Sequence, residues 1–329
     1  MDASFRAARR CMQEWAPHVP ALAESGPSLE TLPTAVEPPR VIASKVIEGH
    51  AIRARRVEGD PEVGFAAFLD GTQRSRVLGY HEGLPLVFGT AAAVVRVRVA
   101  RRLYTWNRGP EVRHRVYLPC ASVPATLVAH YGDRGYVVVD TTRPDGSGTD
   151  PSPHPFALIE RAVQHVREDR EDVERTLAEA WCRLEGLPLC IDGGTSASEL
   201  VAAAECAVGV VKSHRTLYAD GEALARVLGL RRGERSSAFR LNPRHRESVA
   251  SWYLRVRDPA GHDPMWGLVR VEAADLARRG ERPEDLTARA DRISRWILAE
   301  ATPLALPDGR WDKMLYGIRD CEEFLRAVC

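Results

Sequence analysis

Two aspartates occupy the same kind of position in the sequence. Asp70 and Asp192 each follow a short apolar run and precede a glycine, in Leu69-Asp70-Gly71 and in Ile191-Asp192-Gly193. Such runs predict buried strands, and a glycine after the strand permits a tight turn. Two aspartates at the ends of neighbouring strands would repel each other, and a divalent cation with oxygen ligands would relieve that repulsion. The pattern indicates a metal site, although Asp-Gly is also a common turn pair and that simpler interpretation stays open.

A third carboxylate is suggested by the long helical pattern of residues 159–184. Glu174 is followed at three and seven positions by Leu177 and Trp181, so it borders the apolar stripe of this helix. A carboxylate at a buried edge needs a partner, and a cation held by the two aspartates would be one. The alternative is an edge residue that pairs with an arginine. Glu171 is the reserve candidate on the same helix.

One lysine stands out because lysine is rare in this chain. All but three of the 46 basic residues are arginine. Lys212 follows a strand pattern and opens the polar, largely cationic quartet 212–215, which suits contact with a phosphate. A solvated surface cluster is the alternative. The motifs GxSxG and GxxxxGK[ST] are absent, which disfavours a hydrolase elbow and an intrinsic ATPase.

The elements that must position these residues can be read from the hydrophobic periodicity. Strand patterns come first, one long helix follows, and strands and helices then alternate before a late strand pair and two closing helices. This order predicts an α/β domain whose first strands form an antiparallel meander and whose later strands are joined through helices. The strand patterns lie at 65–69, 86–99, 112–118, 136–140, 187–192, 207–211, 248–256 and 266–271, and the helix patterns at 159–184, 198–206, 221–230, 283–301 and 320–327.

Residues 1–60 differ from the remainder. An amphipathic helix pattern at 5–15 precedes a proline-rich stretch at 27–39, and no chemistry is visible in either. We therefore expect an N-terminal helical and proline-rich appendage over 1–60 and the main domain over 61–329.

Composition excludes several classes of protein. The 329 residues carry 46 basic and 45 acidic side chains, so the chain is no bulk polycation that would hold nucleic acid nonspecifically. No apolar run reaches the length of a membrane span, and the N-terminus lacks a signal core. The seven cysteines are an odd number without a CxxC pair, which disfavours a disulfide framework and a cysteine zinc site. These features predict a cytoplasmic protein with no membrane association.

Taken in order, these segments resemble the NurA nuclease family. The resemblance covers roughly residues 60–329 and consists of the Asp70 strand, the acidic helix, the Asp192 strand, the segment 208–213 and the late strands at 253–256 and 268–272. It implies an RNase H-like mixed sheet with flanking helices and with helical additions at both ends. It also implies a metal-dependent deoxyribonuclease with a carboxylate site for Mn²⁺ or Mg²⁺, acting in DNA repair or in defence against foreign DNA.

Carried over residue by residue, the resemblance assigns the metal to Asp70, Glu174 and Asp192, with Lys212 as a further catalytic candidate. One departure concerns the C-terminal motif of the family, a tyrosine followed eight residues later by a histidine. Here Trp311 stands for the tyrosine and Arg319 for the histidine. Arginine can stabilise a phosphate but is too basic to shuttle protons at neutral pH. Activity is therefore expected to be altered or lost, and a catalytically inactive DNA-binding or scaffolding subunit is the alternative.

The resemblance also implies partners. Family members commonly work as homodimers docked on a HerA-type hexameric ATPase that pumps DNA, so we expect DNA, that ATPase and a second copy of the chain as partners. On this view residues 1–60 contact the ATPase, and the two metal sites flank a shared channel lined by Arg96, Arg98, Arg113 and Arg115. The alternative is that residues 1–60 fold back on their own domain.

Overall fold

The computed structural model describes residues 3–17, 38–142, 154–242, 246–301 and 313–328. Within these ranges the helices are α1 (Ala3–Trp15), α2 (Ala125–Asp133), α3 (Pro155–Leu184), α4 (Glu199–Ala203), α5 (Gly221–Leu228), α6 (Pro283–Glu300) and α7 (Tyr316–Val328). The strands are β1 (Arg40–Val41), β2 (Lys45–Val46), β3 (Ala54–Arg56), β4 (Ala67–His81), β5 (Leu84–Val99), β6 (Arg102–Thr105), β7 (Glu111–Leu118), β8 (Val137–Asp140), β9 (Leu189–Asp192), β10 (Ala207–Val211), β11 (Thr216–Leu217), β12 (Glu234–Ser236), β13 (Phe239–Leu241), β14 (Val249–Arg255) and β15 (Leu268–Ala274). No helix in this part of the chain combines the length and the apolar character needed to cross a membrane.

One large mixed sheet organises the fold. Its path runs β2-β13-β14-β15-β10-β9-β4-β5-β7-β8. Strands β4, β5 and β7 form the expected antiparallel meander, and β9 lies parallel to β4 on its other side. The next strand, β10, is parallel to β9, whereas β15 is antiparallel to β10. The central strand β4 is therefore flanked by one antiparallel and one parallel neighbour.

Helices cover both faces of this sheet. On one face α3 packs its buried Ala178 and Trp181 against Leu69 of β4 and Leu189 of β9. On the other face α6 and α7 pack against Phe68 and the late strands, in the largest apolar cluster. The expected α/β class, a large mixed sheet flanked by helices, is thus confirmed.

The described part of residues 1–60 packs against the main domain. Helix α1 buries Phe5 and Met12 in a cluster with Phe88 of β5 and Tyr131 of α2. Strands β2 and β3 pair with β13 and β12 and extend the large sheet. These contacts correspond to the alternative in which residues 1–60 fold back on the domain. Most of the proline-rich stretch, up to residue 37, lies outside the described residues.

The strand that carries Asp70 is longer than its sequence pattern indicates. The Asp70-Gly71 pair predicts a turn, yet β4 continues to His81, and Gly71 pairs with Ala93 of β5 inside the ladder. The apolar run ends there because residues 71–74 of β4 are half-buried or exposed. The burial pattern therefore changes while the strand continues. The turn prediction at residue 71 is therefore wrong.

Candidate metal centre

Asp70 and Asp192 lie side by side on adjacent strands. The parallel register of β4 and β9 pairs Ala67 with Leu189 and continues to Leu69 with Ile191, so the next step brings the two aspartates together. Side chains alternate along a strand, and residues 68 and 190 both belong to the apolar cluster beneath α6 and α7. The aspartates two residues further on therefore share that face. The prediction that they occupy neighbouring strands is confirmed.

A third carboxylate reaches them from α7. One oxygen each of Asp70, Asp192 and Glu322 lies within 4.8 Å of the others. Helix α7 can come this close to β4 because Gly317 faces the ring of Phe68, where an added Cβ would stand 2.2 Å from a ring carbon. The three oxygens form a cluster of the hard ligands that Mg²⁺ and Mn²⁺ accept.

Sequence reasoning missed Glu322, although a signal for it exists. The buried residues of α7 include Ile318, Cys321 and Leu325, and Glu322 stands next to them on the same stripe of the helix. A carboxylate beside an apolar stripe is the same signal that singled out Glu174 on α3. What the sequence could not supply is that α7 packs over the carboxylate edge of the sheet.

The turn after Asp192 is fixed by glycines and by one buried acid. Gly193 has φ +128°, a conformation that L side chains rarely adopt. At Gly194 an added Cβ would lie 2.8 Å from a carboxylate oxygen of Glu272, which also accepts the backbone N–H of Thr195 at 2.8 Å. The glycine turn expected after Asp192 is therefore present, and Glu272 holds it against the sheet.

Electrostatics at this cluster disfavour a charged, metal-free site. Burial raises the pKa of Asp70 well above its usual value, and the charge of Asp192 raises it further. Glu174 acts in the same direction, whereas the Lys212 ammonium and the Gly71 N–H, which donates to Asp70 Oδ1 at 2.8 Å, oppose it. A buried carboxylate with like charges beside it is stabilised when a cation joins the group. The donor set thus fits a divalent ion in both chemistry and charge.

Lys212 lies at this edge as the sequence indicates. It follows β10, whose Val210 pairs with Asp192 of β9. The Lys212 ammonium is 3.0 Å from Asp192 Oδ2, and both side chains are about one quarter exposed, at 24% and 23%. The structure therefore brings Lys212 to the cluster, as a partner of one of its carboxylates.

Glu174 approaches the sheet from the opposite face. Gly71 follows Asp70 in β4, so a Cβ on Gly71 would point away from the cluster, and it would meet Glu174 Oε1 at 2.1 Å. Glu174 forms an ion pair with Arg170, and burial raises its pKa to about 7 in spite of that arginine. The structure does not place Glu174 among the three converging carboxylates. Its reserve, Glu171, pairs with Arg167 on an exposed part of α3 at 3.1 Å.

Arg319 lies on α7, three residues before Glu322, so the two side chains are neighbours on the helix surface. Its guanidinium pairs with Glu323 at 2.7 Å. Trp311, which the resemblance compares with the tyrosine of the family, lies outside the described residues.

The four arginines expected to line a channel are engaged within the chain. Each is partly buried and forms an ion pair with a carboxylate of a packed helix: Arg96 with Asp320, Arg98 with Glu300, Arg113 with Asp172 and Arg115 with Asp169. These ion pairs attach helices α3, α6 and α7 to strands β5 and β7.

Comparison with known proteins adds little to this geometry. No family model and no curated protein matches the sequence. Among solved structures, the chain is similar to the crystal structure of the NurA nuclease from Sulfolobus solfataricus, with a TM-score of 0.35 and 9% identity over 87% of this chain and 85% of that chain. A likeness at that level carries no argument about function, so the function must be inferred from the residues of this chain.

Proposed function

We propose that this protein is a divalent-metal-dependent nuclease that hydrolyses phosphodiester bonds of DNA. The observation that carries the proposal is the convergence of Asp70, Asp192 and Glu322 within 4.8 Å at one edge of the sheet. The buried Asp70, whose pKa is raised by burial and by its acidic neighbours, supports a site built for a cation. The sequence resemblance to the NurA family selects DNA as the substrate.

In this proposal the residues of the chain have separate tasks. Asp70, Asp192 and Glu322 hold Mn²⁺ or Mg²⁺, and such an ion would supply an activated water and stabilise the departing oxygen. Lys212 forms an ion pair with Asp192 at 3.0 Å and offers its other ammonium protons to a phosphate oxygen. Arg319 presents a permanent positive charge from the same helix as Glu322, and it is too basic to act as a proton shuttle.

The proposal includes two macromolecular partners. A near-neutral chain gains little affinity for DNA from its net charge, so a HerA-type DNA-translocating hexameric ATPase would deliver the strand. A homodimer would place two metal sites on one assembly. Light scattering at micromolar concentration tests the dimer, and a mass near the 36.4 kDa of one chain would contradict it. Co-purification of the full chain with a co-encoded ATPase tests the other partner.

Two observations favour a second candidate, an inactive DNA-binding or scaffolding subunit. The Lys212 ammonium already compensates Asp192, and an arginine stands where the family has a histidine. An inactive site of this kind would retain its fold without an ion. Thermal unfolding with and without Mn²⁺ separates the two candidates, since only a metal site is stabilised by the added ion.

The decisive experiment is a cleavage assay on labelled linear and circular DNA with Mn²⁺ or EDTA, with and without the co-encoded ATPase. We expect Mn²⁺-dependent products from the wild type and none from Glu322→Gln, which removes one ligand charge at nearly constant volume. Asp133→Asn, an exposed change at the end of α2, is the matched control and should cleave like the wild type. Cleavage in EDTA, or full activity of Glu322→Gln, would contradict this assignment of the site.

A further inference from the structure

Two of the three lysines of the chain meet beside the carboxylate cluster. The lysines are Lys45, Lys212 and Lys313, in a sequence whose other basic residues are all arginine. Lys313, three residues before α7, points its ammonium at the backbone carbonyl of Lys212, with Nζ 3.4 Å from the oxygen. Lys45 lies on β2 at the far edge of the sheet, four strand spacings from β10 or about 19 Å at 4.8 Å each.

The two ammonium groups differ in how their charge is balanced. Lys212 pairs with Asp192 at 3.0 Å, whereas no carboxylate within the described ranges forms an ion pair with Lys313. The hydrogen bond of Lys313 to the Lys212 carbonyl, at 3.4 Å, is long for a bond to a neutral carbonyl. Its side chain is partly exposed, so its remaining protons are available to a ligand. The site therefore presents a positive charge that the described residues leave unbalanced.

We propose that Lys313, together with Lys212, binds the phosphate backbone of DNA next to the carboxylate cluster. The inference rests on the proposed function for the identity of the ligand, and it adds the residue that positions the strand. A lysine ammonium is a compact charge that donates in three directions, so it can follow a phosphate whose orientation changes along the strand. Lys212 connects the carboxylate cluster with Lys313. Its side-chain ammonium pairs with Asp192, and its backbone carbonyl accepts a hydrogen bond from the Lys313 ammonium.

The scarcity of lysine allows a direct test of where DNA lies. A short single-stranded oligonucleotide with one abasic site is incubated with the full chain in EDTA and cyanoborohydride. The aldehyde of the abasic sugar condenses with a lysine amine to an imine and water, and hydride from cyanoborohydride reduces the C=N bond to a stable secondary amine. Peptide mapping then identifies the lysine. We expect the cross-link at Lys313 and Lys212, and a cross-link confined to Lys45 or to the terminal amine would overturn the inference.

A binding measurement provides the quantitative test. The affinity for an intact oligonucleotide is measured in EDTA at several salt concentrations for the wild type, Lys313→Met, Lys313→Arg and Lys45→Met. Removing one phosphate contact reduces the slope of log affinity against log salt by about 0.7 for single-stranded DNA. We expect this reduction for Lys313→Met only, because arginine keeps the charge and Lys45 is remote. An unchanged slope for Lys313→Met would overturn the inference.

Failure of the Lys313 proposal can be told apart from failure of the proposed nuclease activity. If the wild type cleaves DNA with Mn²⁺ while Lys313→Met keeps the wild-type slope and the cross-link avoids Lys313, the nuclease stands and the role of Lys313 is wrong. If DNA is trapped at Lys313 while no cleavage occurs with Mn²⁺, the positioning role stands and the hydrolytic function fails.

Discussion

Replacing Glu174 by glutamine tests the electrostatics of α3 where it meets the central strand. The Glu174 side chain is only 13% exposed, lies against Gly71 and pairs with Arg170. Burial raises its pKa from 4.5 to about 7, and the charges of Asp192 and Glu171 add to that effect against the opposing Arg170. Glutamine keeps the shape and an oxygen that accepts from Arg170, but it cannot ionise.

The sign of the effect follows from the raised pKa. Between pH 4.5 and about 7 the folded chain retains a proton that the unfolded chain releases, so folding stability is lost as pH rises through this window. At about 1.4 kcal/mol per pH unit, the step from 4.5 to about 7 corresponds to about 3 kcal/mol. We expect Glu174→Gln to gain up to that amount of stability relative to wild type between pH 5 and pH 8.

Urea unfolding in EDTA at pH 5, 6, 7 and 8 measures this difference. Glu168→Gln is the matched control, because Glu168 lies on the same helix with a side chain that is 52% exposed. It should not reproduce the gain in stability that Glu174→Gln shows across this pH range. If the difference between Glu174→Gln and wild type stays constant, Glu174 is ionised throughout and the Arg170 pair outweighs burial.

Three further predictions concern the metal site, the packing of Glu174 against Gly71 and the buried His214. Asp192→Asn should abolish the stabilisation by Mn²⁺, which for a wild-type site at one hundred times its dissociation constant is about 2.7 kcal/mol, and thermal unfolding measures it. Gly71→Ala should cost about 1–3 kcal/mol in urea unfolding, because its Cβ would displace Glu174 from a packed position. His214 donates to the Leu268 carbonyl at 2.7 Å, and burial lowers its pKa from 6.5 to about 4. Wild type should therefore lose about 3 kcal/mol as pH falls from 6.5 to 4, and His214→Gln should lose that much less.

Each of these predictions has a control and a contrary result. Asp133→Asn should keep the Mn²⁺ effect, and a wild-type shift in Asp192→Asn would place the ion elsewhere. Gly132→Ala, on α2 with open space around the added Cβ, should not lower stability, because alanine is favoured over glycine in a helix by up to about 1 kcal/mol. Equal costs for the two glycine changes would mean that Glu174 moves aside freely. A His214→Gln protein with the same acid sensitivity as wild type would show that other groups cause it.

Local patterns were sufficient to predict the pair of aspartates and most of the longer strands of the large sheet, but not its short strands β2, β3, β6, β12 and β13. The run before Asp192 and the strand pattern at 207–211 correspond to β9 and β10, because apolar runs of that length are buried as strands between two layers of helices. The amphipathic pattern of 159–184 corresponds to α3, because its apolar stripe packs against the sheet. Adjacency of Asp70 and Asp192 follows once β9 is parallel to β4.

What the sequence could not predict depends on contacts between distant segments. Glu322 joins the cluster only because Gly317 lets α7 lie close to Phe68, some 250 residues earlier in the chain. Gly71 looks like a turn residue, yet it is a mid-strand position that makes room for Glu174. Alternation of arginine with valine predicts a half-exposed strand but does not reveal that helix carboxylates pair with those arginines.

The charges at the edge of the sheet connect the metal site with the lysine pair. Asp70, Asp192 and Glu322 carry three negative charges when ionised, and Lys212 compensates one of them at 3.0 Å. The exposed Arg326 stands 3.8 Å from Glu322, a separation at which a surface pair contributes little. Two uncompensated charges remain, and a divalent ion matches them. Once they are neutralised, the Lys313 ammonium remains without an ion pair among the described residues, and a monoanionic phosphodiester is the ligand that complements it. An ion and a DNA strand would thus balance opposite charges of neighbouring residues, so each is expected to bind more tightly in the presence of the other.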